Sequence, residues 1–289
     1  MNNKVAIFIL LGQSNAVGFG NFMSEEEKIK EPLKNVFGLH RSLNQSFDND
    51  KLFWSGYTSS GMNLGETHDD TFSVANCMAS LWQKEIDEGA DLPDLYIIHI
   101  SVGAQGVAEK NSMWSPDYDK ILVPGTLGNV KIALLPLTEH ILSLVKPSIE
   151  KMGKELDYVG LHWRGGEQDT LVPVEHLKKV LKDIYISMLD RFYNAVGRKI
   201  PVVMHNITHE EASKRNNEIE SFHYINETFE EISKENENVK IFEVRKAHFY
   251  NENVYDRGIF KEDAVHYTSK TNKWVAEQIV AEYKARNFN

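Results

Sequence analysis

The segment GQSNAVGFG, Gly12 to Gly20, sets a serine in a glycine-rich turn directly after an apolar run, VAIFILLG from Val5 to Gly12. In a doubly wound sheet the loop leaving the carboxyl end of a strand is where ligands bind. Placed there, the Ser14 hydroxyl points out of the crevice, while its own N–H and the start of a helix supply positive potential for a developing oxyanion. A Ser-Asn pair at this position is also what a plain helix cap would use. A serine nucleophile needs a base, and of the eleven histidines only His266 has an aspartate three positions earlier, in KEDAVHYTSKTNKWVAEQIV. That spacing lets one loop carry both groups, with Asp263 holding the ring Nδ1–H and Nε2 left to take the Ser14 proton. Asp263 capping a turn beside a surface histidine is the plainer alternative. The chain order Ser, Asp, His is the one such α/β enzymes use.

Two further segments belong with these residues. HISVGAQGVAEKNSMWSP, from His99, and HWRGGEQDT, from His162, each follow an apolar run, so both should emerge at the same sheet edge as Ser14. Glycines there let backbone N–H groups approach a reacting carbonyl. Trp114 and Trp163 offer flat apolar faces of the kind sugars stack on, with burial in the core as the alternative.

Positioning these segments requires regular elements. Short apolar, β-branched runs alternate with longer amphipathic stretches, the pattern of a parallel sheet covered by helices on both faces. Strands are predicted at Lys4–Leu11, Asn35–Leu39, Leu95–Ser101, Tyr158–Trp163 and Ile200–Asn206. Helices are predicted at Thr71–Glu88, Leu137–Gly153, Val174–Val196, Glu210–Asn236 and Thr268–Arg286,. This makes about five βα units in one layered domain spanning residues 1–289. The Glu-, Asn- and Lys-dense stretch Asn216–Lys240 reads as the solvated face of a covering helix. Three long irregular stretches (Phe19–Asn35, Leu39–Asp70 and Val102–Leu135) carry aromatics such as Phe53, Trp54, Tyr57, Trp114 and Tyr118, which argues for functional loops rather than disorder,.

Four blocks, taken in order, resemble the SGNH-hydrolase superfamily: GQSNA at 12–16, the Ala104–Trp114 stretch beginning AQG, WRGGEQD at 163–169 and DAVHYT at 263–268. The match is closest to its sialate O-acetylesterase-like and carbohydrate esterase family 6 (acetylxylan esterase-like) branch. The resemblance implies a flavodoxin-like, three-layer α/β/α sandwich and removal of O-acetyl groups from a carbohydrate without metal or cofactor. It makes Ser14 the nucleophile, His266 the base, Asp263 its orienting acid and Gly106 a second oxyanion donor beside the Ser14 N–H. One departure stands out: where the third block commonly has glutamine, this chain has Gly165, and the second-block glycine pair reads Gly106-Val107. Losing an oxyanion donor costs roughly 2.7 to 4 kcal/mol. The Gly165 N–H, Arg164 and Asn15 are the candidate replacements. Gln13, Asn15, Trp114, Arg164 and Glu167 are expected around the substrate, with Glu167 and Asp169 buttressing loops rather than forming a glycosidase-like acid pair.

The implied reading is therefore a serine esterase acting on sialic acid or another acetylated glycan. Two alternatives stay open: a catalytically weak glycan-binding or virion-associated module of the same fold, and an esterase for another small acyl ester. The formal charge of −10 disfavours nucleic acid as a partner, and an anionic substrate would need local cations, for which Arg41 and Arg164 are the nearby-loop candidates,. HNITH (His205, His209) has metal-like spacing but no HExxH accompanies it, so no metal is expected,. The single cysteine, Cys77, leaves no disulfide framework and reads as buried packing,. The first apolar run is too short to span a bilayer, and its residues lead into the Ser14 turn, so the chain reads as cytoplasmic when synthesised, with export by another route or within a particle as the alternative. The oligomeric state is open.

Overall fold

The computed structural model describes residues 3–20, 22–44, 50–65, 68–118, 133–208, 218–249 and 265–288. Its centre is β1 (Lys4–Gly12), whose side chains from Val5 to Leu11 are buried without exception. Alternate residues serve opposite faces, as the period of two requires. Val5, Ile7, Ile9 and Leu11 join one apolar cluster, and Ala6, Phe8 and Leu10 join another.

Helices cover both faces. After β1 come α1 (Ser14–Val17), β2 (Val36–Leu39), β3 (Trp54–Gly56), α2 (Val74–Asp87), β4 (Asp94–Ser101), α3 (Leu134–Glu150), β5 (Glu155–Arg164), α4 (Val174–Val196), β6 (Val202–His205), α5 (Glu218–Glu235), β7 (Val239–Phe242) and α6 (Ser269–Phe288). Leu142 of α3, Phe192 of α4 and Phe229 of α5 pack on the first cluster, whereas Trp82 of α2 and Ile279 of α6 pack on the second. Burying two sides of one sheet in this way is what the nearly continuous apolar strands call for.

The sheet has seven strands in the order β3-β2-β4-β1-β5-β6-β7. This corrects the expectation of about five parallel strands: the fold is α/β, but the sheet is mixed, because β3 runs antiparallel to β2. The five predicted strands are all present. The two unforeseen ones, β3 and β7, are short edge strands in which too few apolar residues alternate to give a signal. The helix predicted to begin at Glu210 is described from Glu218 onward, and residues 209–217 lie outside the described residues.

This topology sets up the crevice. β1 lies between β4 and β5, with Gly12 in register with Ser101 on one side and Arg164 on the other. The chain fills one half of the sheet before crossing to the other, so the loops leaving β1, β4 and β5 diverge around a switch point.

Buried imidazoles on this sheet make stability depend on pH. His99 and His162 are depressed to about 3 by burial, and His205, whose Nε2 lies 3.0 Å from His162 Nδ1, is held well below the ordinary range by burial and then by Arg164. All three rings are therefore neutral when folded and bind protons only when unfolded. Their stabilisation is complete above the unfolded value near 6.5 and is lost as pH falls toward 3, at about 1.4 kcal/mol per pH unit for each ring. Urea denaturation at pH 7, 6 and 5 should show a steadily falling unfolding free energy. A flat profile would contradict neutral buried rings.

Candidate active site

Gly12 ends β1 with φ +142°, and a Cβ there would collide with the Arg164 carbonyl oxygen. Glycine permits that close approach. The Gly12 carbonyl then accepts the Val102 N–H at 3.3 Å and the Trp114 Nε1–H at 3.0 Å, joining two points of the segment after β4 to the residue two before Ser14.

Gln13 fastens the third loop. Its N–H donates to the Arg164 carbonyl at 2.9 Å, and its Oε1 accepts the Gln168 N–H at 3.1 Å. Ser14 follows as the first residue of α1. It is partly exposed, and among the described residues neither its N–H nor its hydroxyl has a hydrogen-bond partner. Because α1 is only four residues long, the expected contribution of a helix dipole is small,.

Asn15 then fixes the last block. Its Nδ2 donates to Glu167 Oε1 at 2.6 Å and to the Val265 carbonyl at 3.1 Å, while its Oδ1 accepts the Tyr267 N–H at 3.1 Å. The residues on either side of His266 are thus hydrogen-bonded to the residue next to Ser14. The His266 ring is partly exposed and stands perpendicular to Phe19, with centroids 6.3 Å apart. Asp263 lies outside the described residues.

The second block is held by Asp169, which is fully buried. Its Oδ1 accepts the N–H groups of Val107 at 3.0 Å and Ala108 at 2.9 Å. A Cβ on Gly106 would collide with this carboxylate, so the loop can lie here only with glycine at that position. The N–H of Gly106, like that of Gly165, has no acceptor among the described residues.

Several sequence candidates serve as support instead. Trp114 is fully buried, edge-to-face with Trp163, so neither ring offers a face for sugar stacking. Arg164 is 1 % exposed: its Nη1 donates to Asn272 Oδ1 at 2.9 Å and its guanidinium lies over the Tyr267 ring. Burial pulls it below its ordinary value. A guanidinium placed there braces β5 against the start of α6 and is shut off from substrate. Both Asn15 amide hydrogens are used, and Glu167 accepts one of them, so these two act as braces too. Arg41 pairs bidentately with Asp69 at 2.8 and 2.6 Å, and Asp69 also accepts the Gly61 N–H, which makes a clamp within the β2–α2 connection.

Residues that the sequence did not suggest also hold the site. Asn63 donates to the Ser101 carbonyl at 3.1 Å and accepts its N–H at 3.0 Å, completing the end of β4. His99 Nε2 lies 3.0 Å from the Ala16 carbonyl beneath α1. An isolated Asn and a strand histidine carry no sequence signal for such roles.

Of the remaining motifs, His205 stacks on Phe242 and contacts His162, while His209 is outside the described residues. Cys77 is buried in α2, and burial raises its thiol far above the ordinary range, which makes it unreactive,. No helix among the described residues is long and apolar enough to cross a membrane.

Solved structures with the same fold include NanS, at 13% identity and TM-score 0.60 over 98% of this chain and 99% of that one. An Arabidopsis thaliana protein matches at 14% identity and TM-score 0.57 over the full length of both chains. No protein-family model and no curated protein sequence matches this chain. At such identities the likeness establishes the fold and no more.

Two substitutions probe the site's construction. Asn15→Ala frees the segment carrying His266, and a displacement of about 1 Å costs on the order of a hundredfold in turnover. Asn15→Asp should be worse at pH 7, since a second carboxylate would face Glu167. Steady-state kinetics and circular dichroism together check both. At Gly165 a Cβ would lie 2.9 Å from the Trp163 ring and 3.2 Å from Gln13 Nε2. Because Trp163 is fully buried, Gly165→Ala should destabilise the fold by roughly 1–3 kcal/mol, measurable by urea denaturation,.

Proposed function

We propose that this protein is a serine esterase of the SGNH-hydrolase type, with a flavodoxin-like fold, that removes O-acetyl groups from a carbohydrate. The observation carrying this reading is the Asn15 carboxamide, which ties the backbone flanking His266 to the residue beside a partly exposed Ser14. The α/β fold it shares with NanS is consistent with the fold that the sequence resemblance implies.

In this reading Ser14 Oγ attacks the acetyl carbonyl carbon as its proton passes to His266 Nε2, with Asp263 orienting the ring. The N–H groups of Ser14 and Gly106 receive the developing oxyanion, and Gly165 N–H is the available third donor. Collapse breaks the bond to the sugar oxygen, which takes the proton from His266, leaving an acetyl-enzyme that water hydrolyses by the same steps. Asn15, Glu167, Arg164 and Gln13 position these groups.

The observation favouring the alternative of a weakly catalytic glycan-binding module is Gly165 itself, which puts no side-chain amide where the resemblance expects one. Buried Trp114 and Trp163 weigh against that alternative, because they remove its sugar-stacking surface.

With p-nitrophenyl acetate, the wild type should release a burst of p-nitrophenol equal to the enzyme present, and Ser14→Ala should release none. Equal turnover by the two proteins would overturn the mechanism. Acetate release from acetylated sialic acid, acetylxylan and acetylated peptidoglycan fragments then identifies the sugar. Rates should fall as the acyl chain lengthens.

A further inference from the structure

The loop bearing Gly106 has few anchors of its own. Ala104 sits at φ +55°, a strained conformation for a residue with a side chain,. Val102 makes a long 3.3 Å bond to Gly12, and Gln105 is held through its side chain, whose Oε1 accepts the Met113 N–H at 2.9 Å. Among the described residues the backbone N–H groups immediately after Gly106, those of Val107 and Ala108, both end on one carboxylate, Asp169.

Resting on the esterase reading above, we infer that Asp169 is the positioning residue of the oxyanion hole: its ionised carboxylate holds the Gly106 loop in the donating conformation, and protonation of that carboxylate releases the loop. Asp169 touches no substrate in this scheme and acts through Gly106.

The geometry makes the arrangement sensitive to charge. An ionised carboxylate accepts on both oxygens, whereas a protonated one carries a hydroxyl that donates, so one of the two N–H groups loses its acceptor. Around the carboxylate, Glu109 comes from the loop and Glu167 from its own turn, both as like charges, and the buried Tyr185 phenol faces it from α4. Burial is the largest influence and raises Asp169 to about 6, against the two N–H groups, which lower it. The raised value means that the folded protein takes up this proton at higher pH than an unfolded chain would. The ionised form that holds the loop is half present near 6, predominates above it and is lost progressively as pH falls below it.

Log(kcat/KM) for p-nitrophenyl acetate should therefore fall on the acid side as the Asp169 carboxylate protonates. Asp169→Asn, which cannot titrate, should lower kcat about a hundredfold, the size of effect seen when an oxyanion donor is lost, with KM nearly unchanged and an acid-side fall shallower than that of the wild type. An acid-side fall as steep in Asp169→Asn as in the wild type, or an unchanged kcat, overturns the proposal.

A second measurement needs neither turnover nor an Asp169 variant. In ¹⁵N-labelled Ser14→Ala protein, the Val107 and Ala108 amide resonances should shift together with a midpoint near 6. If they do not move between pH 7.5 and 5, the carboxylate does not release the loop and the proposal fails. Absence of turnover in the wild type at every pH would instead overturn the esterase reading, leaving the amide titration to decide the role of Asp169.

Discussion

The arrangement of this site depends on the buried carboxamide of Asn15. Three hydrogen bonds from one side chain join three parts of the chain far apart in sequence: α1, the turn after β5 and the segment before α6. Each bond contributes only about 1 kcal/mol net, but a buried group stripped of its partner costs about 1–3 kcal/mol. The geometry is therefore enforced by the penalty of breaking it. No other side-chain type serves equally: an aspartate lacks the donors, a leucine lacks everything, and a glutamine would displace α1 by a methylene.

Around that joint the protein accepts costs that only a specific arrangement could justify. Arg164 is a cation 1 % exposed, held by one asparagine and the face of a tyrosine, with Nε and Nη2 left without hydrogen-bond partners among the described residues. Gln13 Nε2 and Glu167 Oε2 are likewise buried and have no partner among the described residues. Orphaned polar atoms of this kind are uncommon in protein interiors and are informative where they cluster. Here they flank Ser14 on the side of β5, while the N–H groups of Ser14 and Gly106 have no acceptor among the described residues. The bracing residues hold the donors in place, and the donors stay available.

The legible part of this fold was its periodicity. β1, β4, β5 and β6 announce themselves by buried β-branched runs, and the α4 helix was predicted to the residue, Val174–Val196. β3 escaped because Trp-Ser-Gly has no apolar alternation, and β7 because four residues with Lys240 on the edge resemble the end of a charged helix. At the site, motif order predicted that the loops after β1, β4 and β5 leave one edge of the sheet, and the Asn15 bonds tie the residues flanking His266 to the turn after β1. Burial was not legible. Trp114 and Arg164 carry the chemistry of sugar and anion recognition, and only the packing of Trp114 against Gly12 and Arg164 against Tyr267 reveals that each faces inward.

That inward turn bears on what replaces the amide missing at Gly165. Any side chain there would meet Trp163, whose edge-to-face contact with Trp114 in turn holds the indole that donates to Gly12. A longer residue at 165 would thus push, through two tryptophans, on the carbonyl that anchors the Gly106 loop. The glycine and the tryptophan pair form one packing solution. In the proposed esterase reaction, stabilisation of the oxyanion falls on backbone N–H groups alone. Backbone donors cannot rotate away as a side-chain amide can, so their quality depends wholly on how firmly the loops carrying them are held.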